Sequence, residues 1–250
     1  MFERAGMAEG CPDGLLCIHC GQRASHLYTK YSNDVIRLAH CKECENIVDK
    51  YVEYEAVVVV IDLVLQYTPA YRHAIYNRSS SSQPRLRLAL FLVFCMSFDR
   101  WIERSIVRHH DIFDLEFDFY ECLLLSMMEM SIFIGCVCLA SRLEYGSFSL
   151  AGLVANACVV GYYGKIAVVF SIVYGLQDEM LYRIAICLLT LLSQFQVIRV
   201  TLPSLSLAAS GLVLLSSTLL SCFVPRVFSF YFMPSSFSAN YFCFFSCPSN

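Results

Sequence analysis

Leu205–Val224 runs for twenty residues without a single charge. As a helix it would span about 30 Å, the thickness of a bilayer's hydrocarbon core. Three more segments repeat the pattern: Cys122–Ala140 with one charge, Glu129; Phe148–Tyr174 with one, Lys165; and Met180–Val200, whose Arg183 and Arg199 lie near its ends, where long cationic side chains can snorkel. The chain is 57% hydrophobic and 16% charged, against about 45–50% and about 25% in soluble domains. A bilayer must therefore act as part of the solvent.

The first half is different. Lys, Arg, Asp and Glu are frequent up to Glu121 and sparse beyond it, so a polar head precedes an apolar body. Net charge is −3 and no basic domain stands out, so nucleic acid is not implied as a partner. Met1–Gly10 contains Glu3, Arg4 and Glu9 and no apolar core of a secretory signal. The head is therefore expected in the reducing cytosol, where thiols suit metal binding better than disulfides.

Within the head, Cys17-Ile18-His19-Cys20-Gly21 is followed after twenty residues by Cys41-Lys42-Glu43-Cys44. Two C-x2-C pairs at this separation predict a structural zinc site, because each tight turn aims two sulfurs at one point. Tyr28 to Tyr31, the turn-like Ser32-Asn33-Asp34 and Val35–Leu38 predict a β-hairpin that returns the second pair to the first. Four thiolates fill a tetrahedron and leave no position for a catalytic water. His19, His26 or His40 could replace one cysteine, and a redox pair at Cys17 and Cys20 is the other alternative. Cys11, Cys243 and Cys247 receive no reading.

Ala56–Leu65 is apolar but for Asp62, and too short to cross a ~30 Å core. Pro69, Arg72 and His73 stop its extension, so Ala56–Tyr76 is read as interfacial or re-entrant, with a full span as the alternative. Asn77–Arg87 reads as a loop, broken by Ser79–Ser82 and Pro84. Leu86–Phe98 is apolar, stops at Asp99-Arg100 and reads as a short span that includes Trp101 as an interface anchor, and Glu103–Asp118 reads as an amphipathic connector. The expected organisation is a zinc-ribbon-like β-hairpin domain over residues 1–55, the interfacial segment 56–76, an α-helical polytopic membrane domain of four or five helices over 77–224, and an atypical tail 225–250.

Val48-Asp49-Lys50-Tyr51-Val52-Glu53-Tyr54 follows the second cysteine pair directly, and Ala70-Tyr71-Arg72-His73 precedes Asn77. With the C-x2-C pairs, these residues resemble the Arv family of endoplasmic reticulum membrane proteins of sterol homeostasis. Residues 17–77 are similar to the family's homology domain. Tyr163-Gly164-Lys165 and Phe195–Thr201 extend the resemblance over roughly residues 15–222. It implies a multi-pass protein of the endoplasmic reticulum membrane that serves intracellular sterol distribution. It also implies links to sphingolipid balance and glycosylphosphatidylinositol (GPI) anchor synthesis. Membrane lipids, sterols, and GPI-anchor or sterol-handling membrane proteins are the implied partners. The expected role is a scaffold or sterol-handling factor, not an enzyme; a membrane-embedded lipid enzyme and a zinc-dependent interaction module are the alternatives.

Outside the cysteines, Tyr51, Glu53, Tyr54, Tyr71, Arg72 and His73 flank the Val-rich run. They read as a membrane-facing platform for the head, or as plain interfacial anchors. Glu129 could stay protonated or pair with Lys165; it marks either a polar spot in a lipid or partner groove, or a helix-packing contact. Lys165 reads likewise, or as a kink in an over-long segment. Arg108-His109-His110-Asp111 is a single cluster, too little for a histidine-box oxidase, and no P-loop, G-x-S-x-G or dinucleotide signature is present. Asn77-Arg78-Ser79 is a glycosylation sequon expected to stay unmodified on the cytosolic side, as the Lys and Arg excess around it suggests.

Overall fold

The computed structural model describes residues 14–31, 36–78, 82–107, 112–146, 150–176 and 179–232. It bears out the two-part architecture: small antiparallel hairpins at the N-terminus, then a helical body. β1 (Leu15–Leu16) pairs with β2 (Arg23–Ala24) around the first cysteine pair. β3 (Tyr28–Lys30) pairs with β4 (Ile36–Leu38), Tyr28 opposite Leu38, and leads to the second cysteine pair. The Ser32-Asn33-Asp34 turn, Arg108–Asp111, Cys11, Cys243 and Cys247 lie outside the described residues.

The head has little core of its own. Its separate apolar cluster centres on Cys17, Leu27, Cys41 and Val48, and two of these are cysteines of the C-x2-C pairs. Ile18 and Tyr51 belong instead to the main cluster, with Leu63, Tyr71, Phe133, Val154 and Val197 of the helical body. Head and body thus share one apolar interior.

Past the 3-10 turn Lys50–Val52, α1 (Ala56–Val64) is nine residues, about 13 Å long. It buries Val59 and Leu63 and exposes Val57, Val60, Ile61 and Val64. Gln66 turns the chain in the left-handed region at φ 59°, and α2 (Thr68–Arg72), begun by Pro69, continues into a π-helical turn, His73–Asn77.

α3 (Ser82–Val107) and α4 (Ile112–Tyr145) follow. Two expectations are corrected here. The loop ends at Ser82, because Pro84 falls in a first helical turn, where its missing N–H costs nothing. Of the Glu103–Asp118 connector, the described residues are helical: 103–107 end α3 and 112–118 begin α4. The two helices pair here: Arg104 Nη1 donates to Glu121 at 3.2 Å and the Trp101 indole N–H to the Leu115 carbonyl at 2.9 Å. α4 has 34 residues, about 51 Å. That length exceeds the ~30 Å apolar layer.

α5 (Ala151–Gly161), a 3-10 segment Tyr162–Ile166 and α6 (Ala167–Tyr174) form one broken rod. α7 (Met180–Thr201) and α8 (Leu207–Phe232) complete the body. α8 runs through Pro225, so the first residues of the expected tail are helical. Among the described residues four helical segments are long and apolar enough to cross a membrane: Leu115–Tyr145, Ala151–Tyr174, Met180–Thr201 and Leu207–Tyr231. α5 and the 3-10 segment after it meet α7 at glycines: a Cβ on Gly161 would lie 2.7 Å from Gln194 Oε1, and one on Gly164, in the 3-10 segment, 2.9 Å from Thr190 Oγ1. Small residues permit such close helix approach where lipid offers no hydrophobic drive.

Candidate metal centre and its joint to the helices

The two cysteine turns share one construction. In the first, Cys17 N–H donates to the Gln22 carbonyl at 2.8 Å and Gly21 N–H to the Cys17 carbonyl at 2.9 Å. In the second, Cys41 N–H donates to Asn46 at 2.8 Å and Glu45 N–H to Cys41 at 3.1 Å. The residue after each pair is left-handed, Gly21 at φ 78° and Glu45 at φ 60°. Glycine takes that conformation freely; Glu45 is held there by its turn.

These turns bring Cys17, Cys20, Cys41 and Cys44 together, all four sulfurs within 4.8 Å of one another. Cys17 Sγ lies 3.7 Å from Cys44 Sγ, and Cys20 Sγ 3.6 Å from Cys41 Sγ. A tetrahedral ion with metal–sulfur bonds of about 2.3 Å has sulfur–sulfur edges of about 3.8 Å. The donor set therefore fits one tetrahedral metal ion. Backbone N–H groups of Cys44 and Glu43 pull the Cys41 thiol down to about 7, whereas burial pushes the Cys17 thiol up. His40 Nδ1 is engaged with the Glu45 carbonyl at 3.1 Å, and His26 Nδ1 with Ser25 Oγ at 2.8 Å.

Arg72 clamps the first turn from α2. Its Nη1 donates to the carbonyls of Ile18 at 2.9 Å and His19 at 2.6 Å. A divalent ion with four thiolates carries two net negative charges, and this guanidinium sits against the turn that holds two of them.

A buried network joins head to helices. Asp49 is fully buried; its Oδ1 accepts the Tyr51 N–H at 2.9 Å, and its Oδ2 accepts Asn77 Nδ2 and meets His73 Nδ1, both at 2.7 Å. Asn77 also donates to the Leu16 carbonyl at 2.8 Å and accepts the Leu16 N–H at 2.9 Å. Tyr51 hydroxyl donates to Asp62 at 2.7 Å, and burial beside that carboxylate pushes its phenol pKa upward.

A second network ties the α1–α2 hairpin to the helical body. Gln66 Nε2 donates to Tyr163 hydroxyl and Ser193 Oγ, both at 3.2 Å, and Gln196 Nε2 donates to the Gln66 carbonyl at 3.4 Å. Tyr71 hydroxyl donates to Gln66 Oε1 at 3.0 Å, and Tyr163 hydroxyl to the Leu63 carbonyl at 2.7 Å.

These positions revise several readings. Tyr51, Tyr71 and His73 are buried and face the interior instead of a membrane, the tyrosine hydroxyls on half-buried Asp62 and Gln66 and the imidazole on buried Asp49. Glu53 and Tyr54 are exposed. Glu129 pairs with Arg100 of α3, not with Lys165, since the stretch read as ending at Asp99-Arg100 continues as helix alongside α4. Lys165 sits in the 3-10 break between α5 and α6, within electrostatic reach of Asp99. Asp49, Asp62, Gln66 and Ser193 were not singled out as site residues. Their one sequence signal is a polar side chain in or beside an apolar run, as at Asp62 and Gln66.

The chain matches the Arv1-like family over residues 16–198. It is similar to Protein ARV1 of Mus musculus, 28% identical over 226 residues, 85% of this chain and 82% of that protein. It is likewise similar to Protein ARV1 of Bos taurus, 30% identical with 74% of this chain and 69% of that protein covered. With Protein ARV1 of Saccharomyces cerevisiae it shares 48% identity over 63 residues, 25% of this chain and 20% of the other. No solved structure matches it. A multi-pass membrane protein with a tetracysteine head and this match across most of its length belongs to the Arv1-like family.

Proposed function

We propose that this chain is an endoplasmic reticulum membrane protein of sterol and lipid homeostasis, acting without catalysis, with its head in the cytosol. The observation that carries the reading is the junction of a tetracysteine head with a membrane-side hairpin in a chain of the Arv1-like family. The ion in the head is a structural Zn²⁺: four thiolates close its coordination, and such sites contribute about 10–16 kcal/mol to folding. Sterols and membrane lipids are its partners, with links to sphingolipid balance and GPI-anchor synthesis.

The test is sterol binding and transfer between liposomes by the purified chain. Transfer without any added protein identifies a carrier; sterol binding without transfer identifies a scaffold or sensor. Failure to bind any sterol in detergent and in liposomes overturns the sterol reading. Expression in cells with separate staining of the endoplasmic reticulum and protease protection of an N-terminal tag tests location and side.

A further inference from the structure

Lys50 opens the 3-10 turn between head and α1, and its ammonium lies over three tyrosine rings. The distances to the centroids are 5.1 Å for Tyr51, 5.4 Å for Tyr67 and 5.9 Å for Tyr54. A ring face attracts a cation within about 6 Å. Three rings together hold in one place a charge that a flexible four-carbon stem would otherwise let wander. No carboxylate among the described residues forms an ion pair with this ammonium. Asp62 instead accepts the Tyr51 hydroxyl.

The cage brackets α1. Tyr54 precedes the helix and Tyr67 follows it, each nearly half exposed at 48% and 45%. Between them Val57, Val60, Ile61, Val64 and Leu65 point outward, 46–71% exposed. An apolar helical face of this kind, flanked by tyrosines, is built for the boundary between lipid and water. The rest of the chain supplies the membrane. A fixed cation without a counter-ion therefore stands where phospholipid phosphates lie.

We propose that Lys50, caged by Tyr51, Tyr54 and Tyr67, binds the phosphate of an anionic membrane phospholipid whose acyl chains lie along the exposed face of α1. Lysine binds phosphate as a point charge through charge-assisted hydrogen bonds. The cage lowers the entropy lost on binding, because the side chain is already ordered. The lone positive charge favours a headgroup of net negative charge over a zwitterionic one, whose own cation offsets the phosphate. This inference needs α1 at the membrane surface and is independent of the sterol reading.

The full chain is reconstituted in phosphatidylcholine vesicles containing a minority of phosphatidylserine with a photoreactive acyl chain, and crosslinks are mapped by mass spectrometry. Labelling is expected to concentrate on Val57–Leu65. Lys50→Gln lowers it about fivefold or more, as loss of one charge-assisted contact requires. Lys50→Arg keeps most of it, and Lys42→Gln, at an exposed head cation, leaves it unchanged. Metal content of each variant reports an intact head. If Lys50→Gln loses the metal, Tyr54→Leu with Tyr67→Leu, which frees Lys50 from two of its rings, takes its place and is expected to lower labelling in the same direction. Unchanged labelling in a metal-replete variant overturns the site. Equal labelling by a phosphatidylcholine analogue reduces α1 to apolar contact and overturns the anionic assignment.

Discussion

His73 reaches across twenty-four residues of sequence to meet Asp49, Nδ1 to Oδ2 at 2.7 Å, with the carboxylate fully buried. The contact binds the segment after the cysteine turns to the π-helical turn below α2, and Asn77 completes it from one helical turn further on. Asp49→Ala leaves three buried groups, the Tyr51 N–H, Asn77 Nδ2 and His73 Nδ1, without their partner. That is expected to cost about 2–4 kcal/mol, since each orphaned donor carries a desolvation penalty. The thermal midpoint in detergent falls, and limited proteolysis releases the head from helices that remain intact. An unchanged midpoint and cleavage pattern would show that this contact holds nothing.

Cys17→Ser or Cys44→Ser is expected to abolish stoichiometric metal and unfold the head, because half of the head's own apolar cluster is cysteine ligand. A strong chelator does the same to the unaltered chain. Helix content by circular dichroism changes little, as the helices themselves supply most of the main cluster and the head adds only Ile18 and Tyr51 to it. Zinc analysis gives one ion per chain; a metal-free chain with a protease-resistant head would sink the claim.

Asn77 is expected to carry no glycan, whichever side of the membrane it occupies. Both N–H groups of its amide are used, one on Leu16 and one on Asp49. An N-linked sugar takes one of those hydrogens and needs room that a buried side chain lacks. Its silence is therefore no reporter of topology, contrary to what the sequon alone suggests. Peptide mass spectrometry of protein from a secretory-pathway host checks this, and a glycosylated Asn77 in folded, metal-replete protein would refute the joint.

Gly161→Leu and Gly164→Leu are expected to push α5 and the 3-10 segment away from α7 and destabilise the body by about 2–3 kcal/mol, typical of overpacking. Gly152→Leu, at an exposed position where an added Cβ would meet nothing within 4 Å, is expected to be close to neutral. Comparing the three midpoints separates a steric seam from a general dislike of leucine.

Arg100 and Glu129 make the sharpest double-mutant cycle. Arg100→Met alone strands a partly buried carboxylate and is expected to cost about 3 kcal/mol, whereas Arg100→Met with Glu129→Gln recovers most of it. Additive losses would mean that the pair is not coupled.

The architecture was legible where chemistry is local. The C-x2-C turns, the β3–β4 hairpin and four apolar helices each declare themselves within a few residues of sequence. The joint did not, because Asp49, His73 and Asn77 are scattered in sequence and meet only after α2 has folded back. Tyrosine misled in the same way: Tyr51 and Tyr71 look like boundary residues, and a ring with a wet hydroxyl resembles one whose hydroxyl has found a buried acceptor. Glu129 was given the wrong partner because Arg100 sat at what read as a helix end.

The Gln66 turn also has a history in time. Its partners Tyr163, Ser193 and Gln196 are encoded 97, 127 and 130 residues later. At translation rates of about 5–20 residues per second the delay is about 5–25 seconds. Throughout that interval the Gln66 amide has only its local partner, the Tyr71 hydroxyl on its Oε1, while its Nε2 waits for the later helices. The hairpin is thus among the first pieces synthesised and among the last completed. A nascent chain halted before α7 lacks the latch, and completion of the α1–α2 hairpin waits on the arrival of that helix.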